Sequence, residues 1–215
     1  MKAVIFDMDG LMFDTERVYV KAWDYAGDKL GLGPTGHMVF KTMGMNTEGC
    51  QRVWRENYPN IDMDALWRYT REFVDNYYTQ NKIAPKPGLY ELLSYLKDKG
   101  YRLAVASSTM REKVEKHLLG ADVRQYFDVV IGGDMVERSK PEPDIYLRAA
   151  SELGVPPEEC YALEDSRNGL HSAHNAGCHV IHVPDLWQPD DEVKQFILGP
   201  FVDLSVVRDW LMAKE

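Results

Sequence analysis

The chain has 215 residues, of which 25 are Lys or Arg and 34 are Asp or Glu, so its formal net charge is −9. This acidic balance argues against a protein that binds nucleic acid irrespective of sequence, because such binding needs a cationic surface that displaces phosphate counterions. Hydrophobic residues make up 45% and charged residues 27%, which is typical of globular chains with a packed core rather than of disordered ones.

The three cysteines, Cys50, Cys160 and Cys178, are odd in number and share no Cys-x-x-Cys spacing. This argues against a disulfide framework and a structural zinc site. The apolar start Met1–Phe6 reaches Asp7 too soon for a signal peptide. No segment approaches the roughly 20 apolar residues that a membrane span needs. We therefore expect a cytoplasmic protein that binds neither membranes nor nucleic acid, and separately expect a monomer.

Short apolar runs, bounded by polar residues or glycine, alternate with helical patterns and predict βαβ units. The predicted strands are Ala3–Phe6, Arg102–Ala106, Asp128–Ile131, Cys160–Leu163 and Cys178–Val183. Because these runs are continuously apolar, they predict an α/β fold with a Rossmann-like parallel sheet buried on both faces. Glycine follows each of the predicted intervening helices and indicates where it stops. These helices are Leu89–Lys99, Arg111–Leu119, Asp144–Leu153 and Asn168–Ala176.

One interval, from about Thr15 to Lys82, contains helical patterns and no convincing strand. Its predicted helices are Thr15–Leu30, Thr47–Tyr58 and Met63–Asn81, and a further helix is predicted near the C-terminus at Ser205–Ala213. The segment 85–88, Pro-Lys-Pro-Gly, suits a linker that leads back into the α/β pattern. We therefore predict an α/β core of residues 1–14 and 86–215 with an inserted helical cap of residues 15–85. The cap would lie above the C-terminal edge of the sheet, where open α/β sheets bind ligands.

Polar side chains follow the predicted strands in succession: Asp7 and Asp9 the first, Ser107 the second, Lys140 the third, and Glu164 and Asp165 the fourth. Because the carboxyl ends of parallel strands meet at one edge, these side chains are expected to share one crevice. Carboxylates, a hydroxyl and an ammonium together suit phosphoryl transfer assisted by a hard divalent cation. Mg²⁺ prefers such oxygen ligands and commonly takes one or two protein carboxylates.

The segment 7–16, Asp-Met-Asp-Gly-Leu-Met-Phe-Asp-Thr-Glu, resembles the first motif of the haloacid dehalogenase-like (HAD) superfamily. The segments around Ser107, Lys140 and Glu164–Asp165 resemble its second, third and fourth motifs, in the family order. The resemblance extends to about Pro184, and the helical insertion is similar to the cap of the β-phosphoglucomutase-like phosphatase group. It implies a HAD-type core with a helical cap and a Mg²⁺-dependent phosphatase whose partner is a small phosphorylated metabolite.

The resemblance further implies that Asp7 is the nucleophile and forms an aspartyl-phosphate, which divides one difficult displacement into two easier ones. Asp9 would protonate the leaving oxygen and then take a proton from the attacking water. Family members that displace halide from carbon lack this second aspartate, because they have no alkoxide to protonate. Asp9 therefore indicates phosphate-ester chemistry.

Metal and phosphate ligands are also implied by motif position. The carboxylates of Asp7 and Asp165 and the main-chain carbonyl of Asp9 would bind Mg²⁺, with Glu164 acting through water or a neighbouring ligand. Lys140 would neutralise charge between Asp7 and the phosphate. The phosphoryl oxygens would be bound by the main-chain N–H groups of Met8, Asp9 and Ser108 and by the hydroxyl of Ser107.

Each motif also has a purely structural interpretation. Ser107 alone could cap a helix, Lys140 could be solvated, and Glu164–Asp165 could stabilise a helix N-terminus. Their occurrence together and in order favours the functional interpretation. A histidine metal cluster is not predicted from the group His171, His174, His179 and His182, because the last two lie three residues apart on a strand and point to opposite faces.

Two questions stay open: which ester is the substrate, and whether the protein is a phosphatase or a mutase. β-Phosphoglucomutases carry a histidine and a cap arginine where this chain has Tyr19 and Thr47. The missing arginine favours a monophosphate, because a bidentate arginine suits the firm binding of a second phosphate. Lys41 or Arg52 could substitute, so a phosphosugar mutase stays open.

Two further alternatives are disfavoured. Lys41 stands three residues before Gly44, much like the Schiff-base lysine of phosphonoacetaldehyde hydrolases, but those enzymes lack the aspartate found here as Asp9. A non-catalytic protein that binds a phosphorylated metabolite is disfavoured because every residue that the mechanism needs is present. Fold alone does not prove activity.

Overall fold

The computed structural model describes residues 3–214, so the predictions for residues 1, 2 and 215 lie outside it. Six strands form one sheet: β1 Ala3–Phe6, β2 Arg102–Ala106, β3 Val129–Ile131, β4 Cys160–Glu164, β5 His179–His182 and β6 Ile197–Leu198. Their order is β3-β2-β1-β4-β5-β6, and every neighbouring pair is parallel. The predicted α/β class with a parallel sheet is thus confirmed, and β1 lies at its centre.

Nine α-helices complete the described part of the chain. Four fall in the predicted cap: α1 Glu16–Lys29, α2 Val39–Thr42, α3 Thr47–Asn57 and α4 Met63–Gln80. Five fall in the predicted core: α5 Leu89–Asp98, α6 Arg111–Gly120, α7 Asp144–Leu153, α8 Arg167–Asn175 and α9 Leu204–Met212. Within residues 3–214, no helix is both long enough and apolar enough to cross a membrane.

The central strand β1 packs on both faces, as its continuously apolar sequence predicts. Successive side chains of a strand point to opposite faces. Val4 and Phe6 belong to the hydrophobic cluster that includes residues of α5, α6 and α9. Ala3 and Ile5 belong to the cluster formed with α7 and α8. Helices therefore cover both faces of the sheet and leave its C-terminal edge for the polar side chains.

The predicted cap has a hydrophobic cluster of its own. Trp23, Met38, Trp54 and Leu66 are buried in it. The rings of Trp23 and Trp54 meet edge to face, with centroids 5.2 Å apart. The aromatic residues of the insertion thus supply packing between its helices.

The two crossings between the predicted core and cap run side by side. The N–H of Asp14 donates to Ala84 O (2.9 Å), and the N–H of Lys86 donates to Met12 O (2.8 Å). Asp185, from the loop after β5, accepts hydrogen bonds from Lys86 Nζ and from Arg17 in α1, each at 2.6 Å. The crossings lie beside the proposed boundaries at residues 14–15 and 85–86, and the division into core and cap stays a prediction.

Several element boundaries differ from the predictions. The short helix α2 and the preceding turn of 3₁₀ helix at Gly36–Met38 were not predicted. Gly120 does not stop α6 but is its last residue. The helix is closed instead by Asp122, which has a φ of 55°, while the N–H of Val123 donates to Leu118 O. Asp is one of the few residues other than glycine that adopt this left-handed conformation readily, so it replaces the expected glycine.

Candidate active site

Asp7 and Lys140 meet at the C-terminal edge of the sheet. Asp7 directly follows β1, is 6% exposed, and donates its N–H to Leu163 O. Lys140, in the long connection after β3, is buried and donates from Nζ to Asp7 Oδ1 (2.6 Å), Glu164 Oε1 (2.6 Å) and Ala106 O (3.1 Å). Asp7, Lys140 and Glu164 thus form one buried ion-pair network, although Asp7 and Lys140 are 133 residues apart in sequence.

Asp7, Glu164 and Asp165 form an acidic cluster in which one carboxylate oxygen of each lies within 4.8 Å of the others. Both oxygens of Asp165 are buried, and no group in residues 3–214 donates a hydrogen bond to either. Gly10, with a φ of +81°, leaves the space that Asp165 occupies, since a Cβ there would lie 2.3 Å from its Oδ2. Unpaired buried carboxylate oxygens are costly, and this oxygen donor set fits the preference of Mg²⁺.

The charges of this cluster act on one another. Burial raises the pKa of Asp7, the charge of Lys140 opposes that rise, and the charges of Glu164 and Asp9 add to it. Burial also raises the pKa of Asp165, as do the charges of Glu164 and Asp7. The ionised cluster therefore needs positive charge close by.

Glu164, the last residue of β4, is held by protein donors. Besides Lys140, it accepts hydrogen bonds from Tyr146 Oη (2.7 Å), the N–H of Asp165 (3.1 Å), and both Oγ (3.2 Å) and N–H (3.3 Å) of Ser166. Gly169 of α8 makes room for it, because a Cβ there would lie 1.8 Å from Glu164 Oε1. Glu164 thus differs from Asp165, whose oxygens have no donor in the described chain.

The Asp9 carboxylate is held apart from this cluster by three hydroxyl groups. Thr15 Oγ1 donates to Asp9 Oδ1 (2.8 Å), while Ser107 Oγ (3.2 Å) and Thr109 Oγ1 (2.8 Å) donate to Oδ2. Thr15 immediately precedes α1, and the other two lie in the loop after β2. Asp7 and Asp9 are two residues apart in sequence, yet their carboxylates have different surroundings.

Main-chain N–H groups that could bind phosphate lie in the loops after β1 and β2. In residues 3–214 no acceptor takes the N–H of Met8, Asp9 or Ser108. Ser107 Oγ accepts a hydrogen bond from the N–H of Thr109 at 3.0 Å. The predicted phosphate-binding groups therefore follow β1 and β2, which are neighbours in the sheet.

Three residues of the site were not singled out from the sequence. Thr109 had a detectable signal, because it is polar and stands two residues after Ser107. Tyr146 had none, since an aromatic residue on the apolar face of a helix is indistinguishable from core. Glu16 lies at the start of α1, where burial, together with the charges of Asp9 and Asp7, raises its pKa to about 8.

The histidines lie outside the acidic cluster. His179 is exposed and contacts Glu158 O (3.1 Å), while His182 is buried with Nε2 3.4 Å from Asp165 O. The two thus lie on opposite sides of β5. In the part of the chain that the structure describes, the acidic cluster is the one group of three or more metal-ligating side chains close enough to share an ion.

Comparison with known proteins gives consistent matches. The model of the haloacid dehalogenase-like hydrolase family matches residues 4–183. A phosphorylated carbohydrates phosphatase of Thermotoga maritima is 34% identical over 192 residues, which cover 85% of this chain and 84% of the relative. A probable pseudouridine-5′-phosphatase of Drosophila melanogaster is 35% identical over 191 residues, covering 84% and 80%. The crystal structure of a CbbY mutant from Rhodobacter sphaeroides, in complex with xylulose-1,5-bisphosphate, matches with a TM-score of 0.78 and 30% identity over 95% of both chains.

Proposed function

Because the chain belongs to the haloacid dehalogenase-like hydrolase family, we propose that it is a Mg²⁺-dependent phosphatase that works through an aspartyl-phosphate. It is a phosphoric monoester hydrolase, and the proposed substrate is a small sugar, polyol or nucleoside monophosphate. The observation that carries the proposal is the buried Asp165 carboxylate, which has no donor among residues 3–214 and lies beside Asp7 and Glu164.

The charge of the cluster supports a divalent cation. When ionised, Asp7, Glu164 and Asp165 carry three negative charges against the single positive charge of Lys140, so the cluster is left at −2. Asp7 and Asp165 would hold Mg²⁺ through side-chain oxygens and Asp9 through its main-chain carbonyl. Glu164 is expected from the sequence to act through water, but its oxygens accept hydrogen bonds from protein donors, so it would contribute only its charge. A bound Mg²⁺ supplies positive charge to these carboxylates and to the phosphoryl oxygens.

In the first step, an Asp7 oxygen attacks phosphorus while the bond to the ester oxygen breaks. Lys140 holds Asp7 Oδ1 at 2.6 Å, which fixes the carboxylate in place for the attack. Protonated Asp9 gives its proton to the leaving oxygen, so an alcohol departs instead of an alkoxide. The free N–H groups of Met8, Asp9 and Ser108 would bind the phosphoryl oxygens.

In the second step, Asp9 takes a proton from a water molecule that attacks the phosphorus of the aspartyl-phosphate. Inorganic phosphate leaves, and the Asp7 carboxylate is restored. The hydroxyls of Thr15, Ser107 and Thr109 hold Asp9 in place during both steps. A hydroxyl can donate or accept, so the same three groups accommodate the protonated and ionised forms of Asp9.

The surroundings of the two candidate phosphate-binding cations in the cap favour a monophosphate over the bisphosphate that a mutase handles. Lys41 is exposed and donates to Asn57 Oδ1 within the cap. Arg52 lines a surface depression with other residues of α3, among them Glu48 and Arg55. Lys41 therefore already has a partner within the cap, and Arg52 is exposed on the cap surface, so we propose a monophosphate rather than a bisphosphate.

Phosphate release from sugar, polyol and nucleoside monophosphates, with Mg²⁺ or with EDTA, tests the proposal. A coupled assay for conversion of β-glucose 1-phosphate to glucose 6-phosphate runs alongside. We expect metal-dependent release without isomerisation. Isomerisation without net release would identify a mutase. Binding of esters without either reaction would identify a non-catalytic binding protein.

A further inference from the structure

One loop of the predicted cap is held by two side chains of the predicted core. The loop lies between α2 and α3, and its main-chain carbonyls at Met43 and Gly44 are the acceptors. Asn168 Nδ2 donates to Met43 O (3.0 Å), and Ser108 Oγ donates to Gly44 O (2.8 Å). The donors stand 125 and 64 residues from their acceptors, so the two bonds join distant parts of the chain.

The loop approaches the core closely at Gly44. This residue has a φ of +75°, and a Cβ on it would lie 2.6 Å from Ser166 Oγ and 3.3 Å from the Cβ of Asn168. Only glycine meets both demands without strain. Ser166 follows Asp165 directly, so the loop lies against the segment that carries a proposed metal ligand.

The loop is also fixed on its cap side. Asn46 precedes α3, and its Oδ1 accepts the N–H of Gly49 at 2.9 Å, which caps that helix. The N–H of Met45 donates to Thr42 O at 3.0 Å. Because the loop is tied to both flanking helices, its position reports the position of the cap.

We propose that Asn168 and the Ser108 hydroxyl are positioning residues that latch the Met43–Gly44 loop, and with it the cap, over the phosphoryl site. The inference rests on the proposed function, in which closure excludes bulk water from the aspartyl-phosphate. Asn168 lies in the first turn of α8, three residues after Asp165, and Ser108 follows Ser107 in the loop after β2. Closure of the cap and assembly of the site are therefore coupled through the same segments.

Hydrogen–deuterium exchange of free Asn168→Ala protein tests the latch without any substrate. Loss of a side-chain hydrogen bond of this type shifts an equilibrium roughly 2- to 10-fold, so amides 42–46 should exchange faster by that factor. Ser108→Ala, which keeps its main-chain N–H, should act in the same direction. The matched control is Asn175→Ala on the same helix, since Asn175 Nδ2 donates to Pro141 O at 3.2 Å and not to the cap. Unchanged exchange at 42–46 in both latch variants overturns the proposal.

Kinetics test the positioning role. For Asn168→Ala, kcat/KM should fall roughly 2- to 10-fold with the best ester of the substrate panel and less with acetyl phosphate, which is too small to need the cap. An equal loss of kcat/KM with the ester and with acetyl phosphate would mean that Asn168 acts through Asp165, and it would overturn the latch. If the wild-type protein releases phosphate from no ester, the proposed function fails, and the exchange experiment alone decides whether the latch exists.

Discussion

Gly169→Ala gives a sharp test of how Glu164 is placed. The alanine Cβ would lie 1.8 Å from Glu164 Oε1 and 2.2 Å from Oε2. Ordinary carbon contacts begin near 3.5 Å, so this carboxylate would have to retreat by more than about 1 Å. It would then leave Lys140 and Tyr146, its partners at 2.6 and 2.7 Å.

The cost follows from those contacts. Disrupting a buried ion pair costs about 3–5 kcal/mol, while alanine is favoured over glycine within a helix by about 0.5–1 kcal/mol. The free energy of unfolding should therefore fall by about 2–4.5 kcal/mol, which a domain of ordinary stability survives. Urea denaturation measures the change from the midpoint and slope.

Gly120→Ala is the matched control for the helix preference alone. Gly120 is the last residue of α6, and a Cβ on it would meet nothing within 4 Å. This variant should be as stable as wild type or more stable by up to about 1 kcal/mol. If Gly169→Ala gained stability as Gly120→Ala does, the close packing of Glu164 against α8 would be refuted.

Three further substitutions test the site. Asp7→Asn should abolish phosphate release while circular dichroism shows an intact fold; near-normal turnover would rule out the nucleophile. Tyr146→Phe removes the donor to Glu164 and should lower the free energy of unfolding by about 2 kcal/mol in urea; an unchanged midpoint would contradict that role. At 100 times its dissociation constant, Mg²⁺ should stabilise the wild-type protein by about 2.7 kcal/mol, a thermal shift that EDTA reverses and Asp165→Asn abolishes. If Asp165→Asn kept the full Mg²⁺-dependent thermal shift, Asp165 would not be a ligand of the metal.

The strands and most of the site's positions could be predicted because both depend on local sequence. A continuous apolar run predicted the bounds of β1, since a strand buried on both faces has no polar positions to obscure its ends; β2 also has the predicted bounds, although it starts at the exposed Arg102. Parallel connectivity then placed Asp7, Ser107 and Asp165 at one edge. In the structure Asp7 and Asp165 belong to one acidic cluster, while Ser107 contacts Asp9.

What the sequence could not predict is which partner each side chain takes. The helical pattern places Tyr146 on the buried face of α7, but it does not distinguish packing against apolar neighbours from a hydrogen bond to Glu164. Glycine preference predicts that Gly120 stops α6, whereas the helix includes Gly120 and Asp122 adopts the left-handed conformation after it. Both outcomes depend on tertiary contacts between segments distant in sequence.

The four carboxylates at this edge of the sheet receive different chemistry from their surroundings. Glu164 is satisfied by protein donors, and Asp9 by hydroxyls that suit either protonation state. Asp7 has one oxygen held by Lys140, and Asp165 has no donor in the described chain. A buried carboxylate without a partner is costly. Because that cost falls on Asp165, a cation bound there both relieves a folding cost and completes the proposed catalytic site, so stability and activity should show the same metal dependence.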